Sequence, residues 1–180
     1  MQTFTSSAAL RPLQQQDFPV ISAWLHDREN MQKVCGNVFD YPLTEAVFTD
    51  YFVLGPQETA ERQCFAYEGN GQLLGMCSFT RIDWPNAFGH IGLVAVDPAL
   101  RGQGIGQQMF AALLHKGFVE HGFHRIDLYV MQGNEGAKRF YQQQFGFQDE
   151  GLMREVLKTE QGYTGWYTLS LLVTEWSGSK

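Results

Sequence analysis

The chain has 180 residues, of which 44% are hydrophobic and 18% are charged, and its formal net charge is −6. This length fits one domain, which we expect to span residues 1–180 with its core at about 9–176. With 13 basic residues against 19 acidic ones, non-specific nucleic-acid binding is disfavoured. No apolar run is long enough to span a membrane, and the N-terminus lacks a signal peptide's layout, so we expect a cytoplasmic protein.

The three cysteines, Cys35, Cys64 and Cys77, are predicted to be buried small hydrophobic residues. Their number is odd and no pair has C-x-x-C spacing, so neither a disulfide framework nor a zinc site is indicated, and we expect no metal. Neither Cys64 nor Cys77 has a histidine or an acid beside it in the sequence, which disfavours a cysteine acyl-enzyme.

The first elements are predicted to be a strand and two helices. "ALRPL" (Ala9 to Leu13) is typical of a short strand. Asp17 then stands where a helix N-cap belongs, and Pro19 fits the first turn of that helix. A second helix is predicted to begin at Thr44 and to end at Gly55.

The middle of the chain is predicted to form three strands. "QCFAYE" and "LLGMCSFTRI" are joined by "GNGQ", which indicates a hairpin turn. "DWPNAFG" is predicted to be a loop because it contains Pro85 and Gly89. "HIGLVAV", from His90 to Val96, is the third strand.

Helices and strands alternate after Val96. Apolar residues at intervals of three to four predict a helix from Ile105 that ends at Gly122. "HRIDLYV" is the next strand. Asn134 can cap a further helix, which Gly146 closes. Two strands, around Gln148 to Arg154 and Tyr163 to Thr174, complete a mixed α/β domain with one strand–helix–strand crossover.

The stretch "VDPALRGQGIGQQM" lies between a strand and a helix and has glycines at 102, 104 and 106. A dinucleotide fingerprint would need a glycine at Gln107 or Met109, and a phosphate-binding loop of the G-K-[ST] type would need a lysine. The spacing therefore excludes both patterns. Exposed amides at a helix N-terminus still favour an anion, and glycines let it approach closely.

Two motifs carry a family resemblance. "LVAVDPALRGQGIG" contains the pattern R-x-x-G-x-G at Arg101, Gly104 and Gly106, and "YVMQGNEGAKRFYQQQFGF" follows at a suitable distance. The chain resembles the GNAT superfamily of N-acetyltransferases from about Leu10 to Trp176. Its C-terminal end resembles the branch that contains ribosomal-protein N-terminal acetyltransferases. In the second motif, the residues in register are Asn134, Ala137, Tyr141, Gly146 and Phe147.

The resemblance implies a mixed α/β fold of about seven strands and four helices, with splayed central strands and acetyl-CoA as the cofactor. The backbone of Val94, Ala95 and Val96 would bond the pantetheine arm, together with Asn134 and the neighbouring Ala137. Arg101 would brace the loop or meet a phosphate. The pyrophosphate would lie on the loop formed by Gly102, Gln103, Gly104, Ile105, Gly106 and Gln107.

The activity implied is direct acetyl transfer to a primary amine in a ternary complex. Tyr141 occupies the family's general-acid position. For the general base, Tyr129 replaces a glutamate that related enzymes carry, and His90 is a candidate because its ordinary pKa suits the role. Asp83, Glu150 or a water chain are the alternatives. A non-catalytic acyl-CoA-binding or sensing domain is the alternative function.

The acceptor pocket is expected between the connection of the first two helices, the last hairpin and the "DWPNAFG" loop. The acceptor would be a small amine, an amino acid or a peptide N-terminus, and a homodimer is left open. The resemblance assigns this pocket to Phe39, Tyr41, Asp83, Trp84 and Tyr129, with Asp40, Phe88 and Tyr163 nearby.

Overall fold

A computed structural model describes residues 8–52 and 60–178. The chain begins with a strand and three helices: β1 (Ala9–Pro12), α1 (Phe18–Trp24), α2 (Arg28–Cys35) and α3 (Glu45–Phe52). The described residues contain five helices where about four were expected, because α2 lies inside the predicted connection between the first two helices. The predicted end at Gly55 lies outside the described residues.

The local chemistry explains both α2 and the start of α1. Asp27 caps α2, since its carboxylate accepts a hydrogen bond from the backbone N–H of Asn30 at 2.7 Å. Asp17 does not cap α1, contrary to the prediction. Its carboxylate accepts two hydrogen bonds from Arg11 instead, each 2.8 Å long, and a 3-10 turn (Gln15–Asp17) precedes the helix.

The remaining elements follow the predicted order, and β3, β4 and β6 are longer than predicted. They are β2 (Gln63–Gly69), β3 (Gln72–Asp83), β4 (Phe88–Val96), α4 (Ile105–His115), β5 (Arg125–Met131), α5 (Glu135–Phe145), β6 (Gln148–Thr159) and β7 (Gly162–Leu172). The predicted loop "DWPNAFG" shrinks to a short turn between β3 and β4. A π-helical turn (Lys116–Glu120) extends α4 towards Gly122.

The seven strands form one mixed sheet in the order β1-β2-β3-β4-β5-β7-β6. Three helices, α1 to α3, cover one face and bury Ile21, Met31 and Phe48. The other face is covered by α4, whose Phe110 and Leu113 are fully buried, and by α5, whose Phe140 and Tyr141 pack on the same core. The predicted mixed α/β class and seven-stranded sheet are confirmed.

The sheet opens between β4 and β5. These two parallel strands pair over four positions, from Phe88 opposite Arg125 to Ile91 opposite Leu128. Beyond Ile91, β4 keeps its partner β3 as far as Val96 but no longer pairs with β5. The predicted splay is therefore present, and it leaves a free backbone edge on β4.

Candidate active site

The loop before α4 presents backbone amides at an open surface. Gly102 and Gly104 have positive φ values of 74° and 82°, a conformation that favours glycine, and Gly104 is the N-cap of α4. The first helical hydrogen bond runs from the N–H of Gln108 to the carbonyl of Gly104. The amides of Ile105, Gly106 and Gln107 therefore have no partner within the helix, and this end favours an anion.

The side chains of the same loop leave this surface accessible. Arg101 is exposed, and within the described part of the chain it makes no ion pair. Gln103 bends back, and its amide donates to the carbonyl of Ala99 at 3.3 Å. No heavy atom lies within 4 Å of the Cβ position at Gly102.

The free edge of β4 consists of the residues for which a pantetheine contact is predicted. Val94 lies opposite Cys77 of β3, and Val96 lies opposite Gly75. Ala95 is buried against α1–α3, whereas Val94 and Val96 pack on the core beneath α4. The backbone groups of 92–96 that face β5 have no strand partner in the sheet.

The start of α5 follows the end of β5, the strand that separates from β4. The side chain of Asn134 accepts a hydrogen bond from the N–H of Ala137 at 3.2 Å, so Asn134 caps this helix. Tyr141 lies two turns further along α5, half-buried among aromatic rings. Burial raises the pKa of its hydroxyl, so this group keeps its proton at every physiological pH.

His90 forms a buried pair that the sequence reading did not foresee. It lies directly opposite Asp127 in the β4–β5 ladder, one position before the strands separate. Its Nδ1 is 2.6 Å from Oδ1 of Asp127, and both residues are buried. Nε2 has no partner among the described residues and is not sealed from solvent. This imidazole therefore has one anchored and one free nitrogen.

Hydrogen bonds connect Asp127 to a network of further polar groups. Arg125 donates to Oδ2 of Asp127 at 3.4 Å and to both carboxylate oxygens of Glu150, at 2.6 and 2.7 Å. Ser170 also donates to Glu150, at 2.7 Å. The hydrogen bonds from Arg125 lower the pKa of Glu150 to about 2, so this carboxylate is ionised. An ionised Glu150 engaged by Arg125 does not suit a base for an amine.

Aromatic side chains connect His90 to a large cavity. The ring of Tyr129 lies 4.4 Å from His90 and 5.9 Å from Trp166. Trp166 packs in turn against Gly36 at the end of α2, because a Cβ built there would lie 3.0 Å from the indole. Gly36 lines a cavity of about 950 Å³ between α2, the end of β5 and the β6–β7 hairpin.

We call this space the acceptor cavity, and it contains several of the predicted pocket residues. Phe39, Asp40, Tyr41 and Tyr163 line it, together with residues that were not singled out. Those additional charged or amide residues are Arg28, Glu29, Gln32, Lys33, Asn37, Gln132, Lys158, Glu160 and Gln161.

The structure does not bring Asp83, Trp84 and Phe88 to the acceptor cavity. They line a separate cavity of about 500 Å³ next to Arg62 and Arg81. Asp83 is engaged locally, since it accepts hydrogen bonds from the N–H and the side-chain amide of Asn86 at 3.1 and 2.8 Å. The β3–β4 turn is too short to reach α2, which explains the difference from the sequence-based expectation.

The structure gives little support to a cysteine acyl-enzyme or to a metal ion at this site. Burial raises the pKa of Cys35 and of Cys64 to about 12 and raises that of Cys77 further, so all three are protonated thiols. Across residues 8–52 and 60–178, no group of three His, Cys, Asp or Glu side chains could hold a metal ion. In the same ranges, no helix is both long and apolar enough to cross a membrane.

Comparison with known proteins identifies the family. The profile of the acetyltransferase (GNAT) family matches residues 11–147, about three quarters of the chain. The chain belongs to this family. The predictions of a GNAT fold, of an N-acetyltransferase and of acetyl-CoA as its cofactor are thereby confirmed.

Solved structures of other proteins have the same fold. A spermidine N-acetyltransferase from Vibrio cholerae, in complex with CoA and spermine, is 18% identical, with a TM-score of 0.81 over 95% of this chain and 98% of that one. A protein described as a probable acetyltransferase is 21% identical, with a TM-score of 0.76 over 97% of each chain. At these identities the likeness establishes the fold and not the acceptor.

Sequence reasoning missed Asp127, although a signal was present. In "RIDLYVM" the alternate residues Ile126, Leu128 and Val130 are buried beneath α4, which leaves Asp127 and Tyr129 on the opposite face of the strand. His90 and Asp127 are each the third residue of their strand. The alternation could have placed Asp127 on the face of β5 away from α4, but its pairing with His90 depends on strand bounds and register that the sequence pattern does not determine.

Proposed function

We propose that this N-acetyltransferase transfers the acetyl group of acetyl-CoA directly to the primary amine of a small acceptor in the acceptor cavity. His90 would act as the general base and Tyr141 as the general acid. The observation that supports this best is the position of His90, one residue before the split between β4 and β5. Its ring contacts Tyr129, which contacts Trp166 beside the acceptor cavity.

The residues around the split fit acetyl-CoA. The free edge of Val94, Ala95 and Val96 offers backbone hydrogen bonds to an extended amide chain, and the open amides at the start of α4 suit a pyrophosphate. Arg101 would lie over the phosphates, and Asn134 would bond the pantetheine arm while it caps α5. When bound, the cofactor supplies an activated acetyl thioester.

The protein's own residues then supply positioning and proton transfer. Nε2 of His90 would accept the proton of the incoming ammonium group, which frees the amine lone pair for bond formation to the acetyl carbon. The hydroxyl of Tyr141 holds a proton for the departing sulfur. Burial raises the pKa of this phenol, so the hydroxyl is protonated near neutral pH. It can therefore donate a proton but cannot act as the base.

The acceptor we propose is a small polar amine. The acceptor cavity is open and carries Asp40 and Glu160, which can receive a second ammonium group, and the structural neighbour from Vibrio cholerae was solved with spermine. Arg28, Lys33 and Lys158 in the same cavity keep amino acids and peptide N-termini as the alternative class. A cytoplasmic location and a homodimer stay predictions.

An acceptor panel tests this proposal. The purified protein would be incubated with acetyl-CoA and, separately, spermidine, a monoamine, a free amino acid and a tripeptide, and CoA release would be followed with a thiol reagent. We expect the highest kcat/KM with a small amine. Faster turnover of the tripeptide would contradict the acceptor class, and tight CoA binding without turnover on any member would favour the sensing alternative.

A further inference from the structure

The buried pair of His90 and Asp127 fixes which nitrogen of the imidazole carries the proton. Nδ1 lies 2.6 Å from a carboxylate oxygen, and the two side chains are 11% and 9% exposed. An ionised carboxylate only accepts hydrogen bonds, so Nδ1 must carry the hydrogen that joins them. In a neutral ring the lone pair then belongs to Nε2, the nitrogen that has no partner among the described residues.

The carboxylate of Asp127 belongs to a hydrogen-bond network that extends over three strands. Arg125 on β5 contacts Oδ2 of Asp127 and forms two hydrogen bonds to Glu150 of β6. Ser170 of β7, which lies opposite Asp127 in the sheet, completes the chain by donating to Glu150. The hydrogen bond from Arg125 to Oδ2, together with the contact of Oδ1 with His90, restricts the rotation of this carboxylate.

The remaining ionisable neighbours of His90 do not compete for Nδ1. The ring of Tyr129 lies at 56° to the imidazole, with the ring centres 4.4 Å apart, and Arg81, opposite His90 on β3, lies over the ring of Phe88. On α2, which packs against β4, Cys35 is a buried neutral thiol. Asp127 is therefore the anion that the imidazole meets.

We infer that Asp127 is a positioning residue for catalysis: it holds His90 as the Nδ1–H tautomer, so that Nε2 receives the proton of the acceptor amine. Arg125, itself held by Glu150, keeps Asp127 in place. The inference rests on the proposed role of His90 as general base. It adds that the base is a pair of residues, one on each of the two strands that separate at the active site.

The substitution Asp127→Asn is the main kinetic test. The amide can donate to Nδ1 and so move the ring proton to Nε2, which removes the lone pair from the reactive nitrogen. We expect kcat to fall by about 100-fold, a typical contribution of general acid–base catalysis, with the KM for acetyl-CoA changed less than about twofold. Because the anion is lost, the pH at which activity falls on the acid side should move down.

Matched variants separate this effect from a loss of stability. Asp17→Asn also removes a buried carboxylate that accepts from an arginine, but it lies between β1 and α1. It should lower the melting temperature without changing kcat or the pH profile. Glu150→Gln should lower kcat less than Asp127→Asn does, since Arg125 would still reach Asp127.

A spectroscopic measurement tests the inference without a variant. The ¹⁵N chemical shifts of His90 in the wild-type protein distinguish the two tautomers, and we expect the Nδ1–H form. A dominant Nε2–H form, or an even mixture, would overturn the inference even if Asp127→Asn fails to fold.

The outcomes also separate this inference from the proposed function. If His90→Gln abolishes turnover while Asp127→Asn keeps both kcat and the pH profile of the wild type, Asp127 has no positioning role and the function stands. If His90→Gln keeps wild-type kcat at all pH values, the role of His90 as base fails and the inference fails with it. Loss of turnover in both variants, with CoA affinity retained, supports the pair.

Discussion

The ring of Phe110 on α4 lies 4.9 Å from the ring of Tyr141 on α5. Phe147 adds a second contact, 6.0 Å from Tyr141 on the side of β6. Both phenylalanines are buried, so they hold the phenol ring in place. The proposed role of Tyr141 as general acid therefore rests on a side chain that the aromatic core positions.

Tyr141→Phe should lower kcat by about 100-fold or more and leave the affinity for CoA unchanged, because it removes a proton and no packing. The wild-type enzyme should show no loss of rate up to pH 10 that depends on Tyr141, since burial raises the pKa of this phenol above its ordinary value of 10.0. Steady-state kinetics and calorimetric titration with CoA would measure both. An unchanged kcat would exclude Tyr141 as the acid.

The glycine loop gives a prediction that combines stability with binding. Gly104→Ala places a side chain at a φ of 82° and should cost about 1–2 kcal/mol in free energy of unfolding. It should also weaken CoA binding, because the loop turns into α4 at this residue. Chemical denaturation and CoA titration are the measurements.

Gly106→Ala is the stability control for that prediction. Gly106 has no positive φ, and an added Cβ would meet Val96 at an ordinary 3.5 Å. The free energy of unfolding of the Gly106→Ala variant should therefore equal or slightly exceed that of the wild type. An equal loss of stability in both variants would show that crowding, and not backbone conformation, governs the loop.

Much of the fold could be read from the sequence because its patterns are local. Alternating and three-to-four spacings identified the strands and most helices, and the paired motifs identified the splay. α2 was not predicted from the sequence, because only Met31 and Cys35 of its eight residues are buried. Two apolar positions are too few to define a helical hydrophobic face. Strand ends such as Thr159 were also missed, since β6 is an exposed edge with little alternation.

The candidate site divides in the same way. The glycines and Tyr141 lie in contiguous motifs, so their candidate roles could be predicted from the sequence. The candidate role of His90 depends on its contact with Asp127, which is 37 residues away. Register between parallel strands is not a local property, so His90 looked like an isolated histidine. The acceptor cavity also depends on contacts between distant segments, because the β6–β7 hairpin meets α2 there. Asp83 lines a different cavity, which the sequence pattern did not indicate.

The cysteines should not take part in turnover. Burial raises the pKa of Cys35 and Cys64 to about 12 and that of Cys77 still higher, so thiolate is scarce at pH 8. Iodoacetamide should leave the native enzyme active, and intact mass after incubation with acetyl-CoA alone should show no acetylated cysteine. An acetyl adduct that forms and then disappears when amine is added would demonstrate a covalent route instead.

The Arg11–Asp17 pair predicts a contribution to stability that depends on pH. Burial alone would raise the pKa of Asp17, but hydrogen bonds from Arg11 and the N–H of Gln14 outweigh it and lower the pKa below 3.8. This contribution is present above pH 3.8 and is lost as the pH falls through the lower folded-state value. Asp17→Asn should cost about 2 kcal/mol at pH 7 and much less at pH 2. An equal cost at both pH values would contradict the ion pair.

Initial rates of CoA release, with acetyl-CoA and a small amine both varied, test direct transfer at the β4–β5 split most directly. If both substrates must be bound together, double-reciprocal plots at several fixed amine concentrations will intersect, and one CoA will appear for each acetylated amine. Parallel lines, or CoA release without acetylation of the amine, would contradict the account.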